Sequence, residues 1–171
     1  MRLLIIRHAI AEDRAEFAAA NPGEADGARP LTRRGRARMK RGALGLATVM
    51  SSVDLLATSP HVRAVQTAKI VARRMNVRDV EIREELVPEA SPAKILDWLR
   101  TRAPHADSIA LVGHEPHLGR LVGWLLAAKD RSPLALKKGG ALLLEVPRRA
   151  RPGSAKLAWA MTPRQLRALA R

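Results

Sequence analysis

Four consecutive apolar residues, Leu3-Leu4-Ile5-Ile6, run straight into Arg7 and His8 near the start of the chain. A run so short, with charge on both sides, reads as a buried strand and not as a helix. Arg7 and His8 then leave it at the C-terminal end, the edge where open α/β sheets bind ligands. In a chain rich in arginine such a pair also arises by chance or simply ends a strand at the surface, so the ends of the other strands must decide.

Three more apolar runs alternate with helical patterns. Residues 54–58 read as a second strand, 80–83 as a short third and 108–112 as a fourth. Between them Thr32 is the expected N-cap of a helix reaching about Ser51, with Met39, Ala43, Leu46, Ala47 and Met50 on one face. Ser59-Pro60-His61-Val62-Arg63 breaks the second strand and opens a helix that Asn76 closes. Ser91-Pro92 opens another, and Leu118, Leu121, Val122, Leu125 and Leu126 form the clearest amphipathic stripe. Residues 141–146 and 156–160 read as a hairpin, and Thr162-Pro163 starts a last short helix. Residues 9–30 form a long loop with a short helix at 11–20, a kind of segment that is usually functional or mobile. This pattern predicts one domain over residues 1–171: a three-layer α/β/α sandwich whose central sheet is mainly parallel with an antiparallel edge.

At 171 residues the chain can bury a core without staples. It has no cysteine, which excludes disulfides and thiolate metal sites and suits a reducing compartment. No segment is long enough to span a membrane, and a cytoplasmic location is expected. The excess of 31 Lys+Arg over 16 Asp+Glu, a formal charge of +15, favours anionic partners: nucleic acid, acidic protein faces, phosphorylated compounds or polyphosphate. Phe17, Trp98, Trp124 and Trp159 are the whole aromatic complement, too few for a base-stacking platform.

Three strand ends then draw attention together. The first leads into Arg7-His8, the second into Ser59-Pro60 and Arg63, the fourth into Gly113-His114. Parallel strands would carry all three to one edge. Two arginines offer planar forks to phosphate oxygens, and a neutral imidazole can attack phosphorus. These residues carry a resemblance. The segments Leu4-Ile5-Ile6-Arg7-His8-Ala9, Pro30-Leu31-Thr32-Arg33-Arg34-Gly35, Thr58-Ser59-Pro60-His61-Val62-Arg63-Ala64-Val65-Gln66-Thr67-Ala68, Leu111-Val112-Gly113-His114-Glu115-Pro116 and Met161-Thr162-Pro163 resemble the histidine phosphatase superfamily, which is phosphoglycerate mutase-like. Within it they are most similar to the SixA-type phosphohistidine phosphatases.

The resemblance implies that His8 is the nucleophile, that Arg7, Arg63 and His114 hold the phosphoryl group, and that neither a cofactor nor a metal is needed. Glu85 is the best match to the general acid of the family, with Glu89 next. Ala9 departs from the glycine usual after Arg-His, as in the SixA-like branch. His61, His105 and His117 are read as bystanders, Trp98 and Trp124 as core, and Ser59 either as a pocket residue or as a helix cap. The expected activity is dephosphorylation of phosphohistidine on an acidic phosphorelay protein by a monomeric enzyme. The rivals are the same chemistry on a small phosphate ester and a non-catalytic polyanion-binding module.

Overall fold

The computed structural model describes residues 1–102 and 105–170. Its strands are β1 (Arg2–Arg7), β2 (Leu55–Thr58), β3 (Val80–Ile82), β4 (Ser108–Gly113), β5 (Ala141–Glu145) and β6 (Lys156–Met161). They form one sheet in the order β3-β2-β4-β1-β5-β6. The pairs among β1 to β4 are parallel, whereas β5 runs antiparallel to both β1 and β6. The helices are α1 (Arg14–Ala20), α2 (Arg33–Val49), α3 (Val62–Arg74), α4 (Pro92–Arg102), α5 (His117–Ala127) and α6 (Pro163–Leu169).

The continuous apolar run of β1 follows from its central place. Leu3 and Ile5 face one core with Ile95 and Leu99 of α4 and Leu118 and Leu121 of α5. Leu4 and Ile6 face the other with Met39 and Leu46 of α2, Val71 of α3 and Leu166 of α6. A strand whose two faces are both covered has no position for a polar side chain. All four residues are fully buried, and truncating Ile5 to alanine would cost about 2–5 kcal/mol, a large share of the ~5–15 kcal/mol that holds a domain folded.

Local signals set the ends of the elements. Thr32 Oγ1 accepts from the Gly35 amide at 2.9 Å, and Thr162 with Gln165 forms a capping box at the start of α6. Asn76, at φ 54°, closes α3 in the left-handed region that asparagine tolerates. Gly45 lets α2 lie against α6, since a Cβ there would come 1.7 Å from the Leu166 carbonyl oxygen.

Some boundaries differ from the sequence reading, each for a visible reason. The helix expected over 11–20 begins at Arg14 because the Asp13 carboxylate caps the amides of Ala15 and Glu16. The second strand begins at Leu55, since the Asp54 carboxylate accepts from the amides of Asp107 and Ser108 and clamps β4 beside it. Trp98 is core, as expected, but Trp124 is only half-buried.

Candidate active site

The parallel register decides where the strand ends lie. Arg7 pairs with Gly113 and Thr58 with Val112. Beyond them the His8 amide donates to the Gly113 carbonyl and the Ser59 amide to that of Val112, both at 3.0 Å. His8, Ser59 and His114 therefore sit side by side at one sheet edge, where α3 and α5 begin. The rings of His8 and His114 lie 5.0 Å apart, and that of His61 lies 4.8 Å from His114.

His8 is buried and its Nδ1 lies 2.7 Å from the carbonyl oxygen of Ala9. A carbonyl only accepts, so Nδ1 carries the proton and Nε2 keeps an open lone pair. Burial lowers the His8 pKa most, the Ala9 bond opposes it, and Arg63, Arg7 and Lys138 depress it further, to about 3. The ring is thus neutral at physiological pH, the state in which an imidazole is a nucleophile. Ala9, placed by resemblance alone in the sequence, orients the His8 ring. Its amide donates to Thr67 Oγ1 at 3.0 Å, which fixes the carbonyl that holds the His8 ring.

Arg7 donates through Nη1 to the Leu136 carbonyl at 2.7 Å and feels the charge of Glu115. Arg63, in the first turn of α3, is almost wholly buried. Its Nη1 donates to the Asp26 carbonyl at 2.7 Å, and its Nη2 lies 3.0 Å from both Asp26 Oδ2 and His61 Nδ1. A guanidinium has no lone pair to offer, so His61 Nδ1 accepts and its proton is on Nε2. Ser59 Oγ lies 2.9 Å from His114 Nε2 and accepts from the His61 amide at 3.3 Å. Burial first, then the charges of His8, Arg63, His61 and His117, bring the His114 pKa down to about 2. Three buried nitrogens of this group, Arg7 Nε, Arg63 Nε and His114 Nδ1, have no hydrogen-bond partner among the described residues. Such orphans at a cationic edge fit an oxyanion ligand.

Arg7, His8, Arg63 and His114 are thus brought together as the sequence predicts. Glu85 is ion-paired: its carboxylate is held by Arg83 at 2.6 Å. Burial pushes the Glu85 carboxyl up, but the Arg83 hydrogen bond and charge outweigh it and keep the pKa below the ordinary carboxylate value. The carboxylates whose charge reaches His61 belong to Glu89, Asp26 and Glu84.

Two residues of the site escape the sequence reading. His61, expected to be a bystander, is the N-cap residue of α3 and binds Arg63; its closeness in sequence to Arg63 is the available signal. Asp26 gives no signal, because only the folding back of residues 9–30 places it on Arg63. Among the described residues no group of three or more His, Cys, Asp or Glu side chains could hold a metal ion.

A family model for the Histidine phosphatase superfamily (branch 1) matches residues 3–87. An uncharacterized protein of Picosynechococcus sp. is 36% identical over 141 residues, 82% of each chain. The chain belongs to the histidine phosphatase superfamily. Membership marks it as a phosphatase with a histidine nucleophile. The superfamily fold is shared with the protein histidine phosphatase SixA complexed with tungstate, at TM-score 0.82 and 23% identity over 97% of this chain and 99% of that one. The alpha-ribazole phosphatase from Shigella flexneri has the same fold, at TM-score 0.65 and 18% identity over 95% and 97%.

Proposed function

We propose that residues 1–171 form one cytoplasmic, monomeric, metal-independent phosphatase domain in which His8 is the nucleophile, and that its substrate is phosphohistidine on an acidic partner protein. The observation that carries the reading is the Nδ1 proton of His8 committed to the Ala9 carbonyl, which leaves Nε2 bare beside two guanidiniums.

Nε2 attacks phosphorus in line with the leaving group. A nitrogen–phosphorus bond to His8 forms as the substrate's bond to phosphorus breaks. Negative charge on the transferring oxygens is met by Arg7, Arg63 and His114, fixed donors that stabilise the transition state without reorganising. Water then attacks phospho-His8, phosphate leaves, and the Nε2 lone pair is restored.

The state of Glu85 supports a phosphoramidate substrate. A phosphohistidine imidazole leaves more easily than an alkoxide and needs less help from an acid. A carboxylate kept ionised by Arg83 suits that low demand. The net charge of +15 would also steer acidic proteins to the site. A small phosphate ester is the second reading, favoured by the docking of the 9–30 loop on Arg63, which walls one side of the site. A purely polyanion-binding module gives no reason for the tautomer of His8.

Phosphohistidine proteins and sugar phosphates offered side by side, with His8→Ala as control, test the reading. Faster release from phosphohistidine and an acid-labile phosphoryl label on His8 are expected. Equal release by wild type and His8→Ala would overturn it.

A further inference from the structure

Beside the nucleophile, on the α2 and α6 side of the sheet edge, lies a cavity of about 330 Å³. Its cationic wall consists of Arg38 of α2, Lys137 and Lys138 of the turn before β5, and Arg164 and Arg167 of α6. Among the described residues no carboxylate lines it and none of these five cations forms an ion pair. Arg167 is held below the ordinary arginine pKa, first by burial and then by repulsion from Arg38, Arg41, Arg164 and Arg34. Like charges gathered in a concavity without counter-charge destabilise the free protein and favour an anion that enters.

The cavity is tied to the reacting centre by its walls. Ala9, whose carbonyl orients His8, lines it, as does Gly139, whose amide donates to the carbonyls of both Arg7 and His8 at 3.1 and 3.0 Å. Lys138 is near enough to act on His8 electrostatically. Gly42 of α2 also lines the cavity, and a Cβ there would meet nothing within 4 Å.

We propose that this cavity is a second anion subsite, which takes a carboxylate or phosphate group of the same substrate whose phosphoryl group is transferred to His8. The inference rests on the reaction proposed above and adds a requirement to it: good substrates carry two anionic groups. The second group comes either from an acidic side chain of a phosphoprotein or from the other phosphate of a small bisphosphate.

The test compares pairs of substrates that differ only in the second group. One pair is a hexose bisphosphate and the corresponding monophosphate. The other is a phosphohistidine peptide with flanking Asp and Glu and the same peptide with Asn and Gln. In the double variant Arg38→Gln/Arg164→Gln the preference in kcat/KM for the doubly anionic member of at least one pair falls by about tenfold or more, chiefly through KM, as expected for lost charged contacts. Gly42→Leu keeps every charge but fills the space, and it lowers the same preference. The pair that responds identifies the source of the second anion. A preference unchanged in both pairs overturns the subsite, and so does a loss in the double variant that Gly42→Leu does not reproduce, which would leave only long-range attraction. Calorimetric binding of the same pairs to His8→Ala repeats the comparison without turnover. If no substrate is turned over while the binding preference behaves as stated, the reaction proposed for His8 fails and the subsite stands.

Discussion

Asp26 grips Arg63 twice, accepting from Nη1 through its backbone carbonyl at 2.7 Å and facing Nη2 with its carboxylate at 3.0 Å. The same carboxylate is shared with Arg29 and Arg14. Burial raises the Asp26 pKa, but Arg29, Arg63 and Arg14 together bring it down to about 2. The residue therefore remains an anion on the cation proposed to hold the phosphoryl group, for which the two would compete.

Asp26→Asn should accordingly tighten inhibition by phosphate or tungstate severalfold, because Arg63 would lose its internal counter-ion. It should also loosen residues 9–30, read as faster limited proteolysis there. Since the folded pKa lies below the ordinary value, Asp26 contributes stability that is complete above pH about 4 and disappears as pH falls toward about 2. An unchanged inhibition constant would show that the carboxylate does not compete.

In the proposed mechanism His8 sets the acid limit of activity. With His8 at about 3 and His114 at about 2, both rings are neutral throughout the range from pH 5 to pH 8. The pH profile of kcat/KM should show no acid limb near 6.5, the ordinary histidine value, and should fall only at lower pH where His8 takes a proton. A limb centred near 6.5 that disappears with no other substitution than His61→Gln would assign that titration to His61 instead.

His117 is a separate source of acid sensitivity. It is fully buried, neither ring nitrogen has a partner in hydrogen-bond geometry among the described residues, and burial, aided by Arg120, lowers its pKa to about 4 against the help of the Ser91 backbone and Asp130. The unfolded chain binds this proton near 6.5 and the folded chain does not, so its contribution to stability is full above 6.5 and is lost as pH falls toward about 4. His8 and His114 act in the same direction. His117→Leu should flatten the fall in Tm between pH 7 and pH 5 while leaving the Tm at pH 7 within a few degrees of wild type, a shift of about 1 kcal/mol or less.

Glu85→Gln separates the two substrate readings. The loss should stay below about tenfold on a phosphohistidine substrate, because the carboxylate is engaged by Arg83 and its leaving group needs little acid. A much larger loss on an alkyl phosphate than on phosphohistidine would restore Glu85 as a proton donor for esters.

How far the sequence could be read depended on whether a feature was local. β1 was legible because Leu3 to Ile6 are buried on both faces, and the starts of α2 and α6 because Thr32 and Thr162 cap their own helices. Arg7, His8, Arg63 and His114 were legible together because parallel pairing brings the C-terminal ends of neighbouring strands to one edge. Asp26 was not, since its partner lies 37 residues away and nothing in a Gly- and Ala-rich loop records where it will land. The pairing of Glu85 with Arg83 was equally hidden: two nearby side chains of a short turn can point together or apart. The basic cavity could be seen only as excess charge, because its lysines and arginines come from three segments that meet at the sheet edge.

The Gly139 amide that bridges the carbonyls of Arg7 and His8 has a further consequence. It belongs to the C-terminal half of the chain, as do His114 and the Leu136 carbonyl on Arg7, whereas His8 and Arg63 belong to the N-terminal half. Neither half holds all the residues of the proposed centre. If the polypeptide were cut in the partly exposed stretch between β3 and α4, each fragment would be inert, and catalysis would return only when the two pieces found each other, so that phosphatase turnover would report their reassembly.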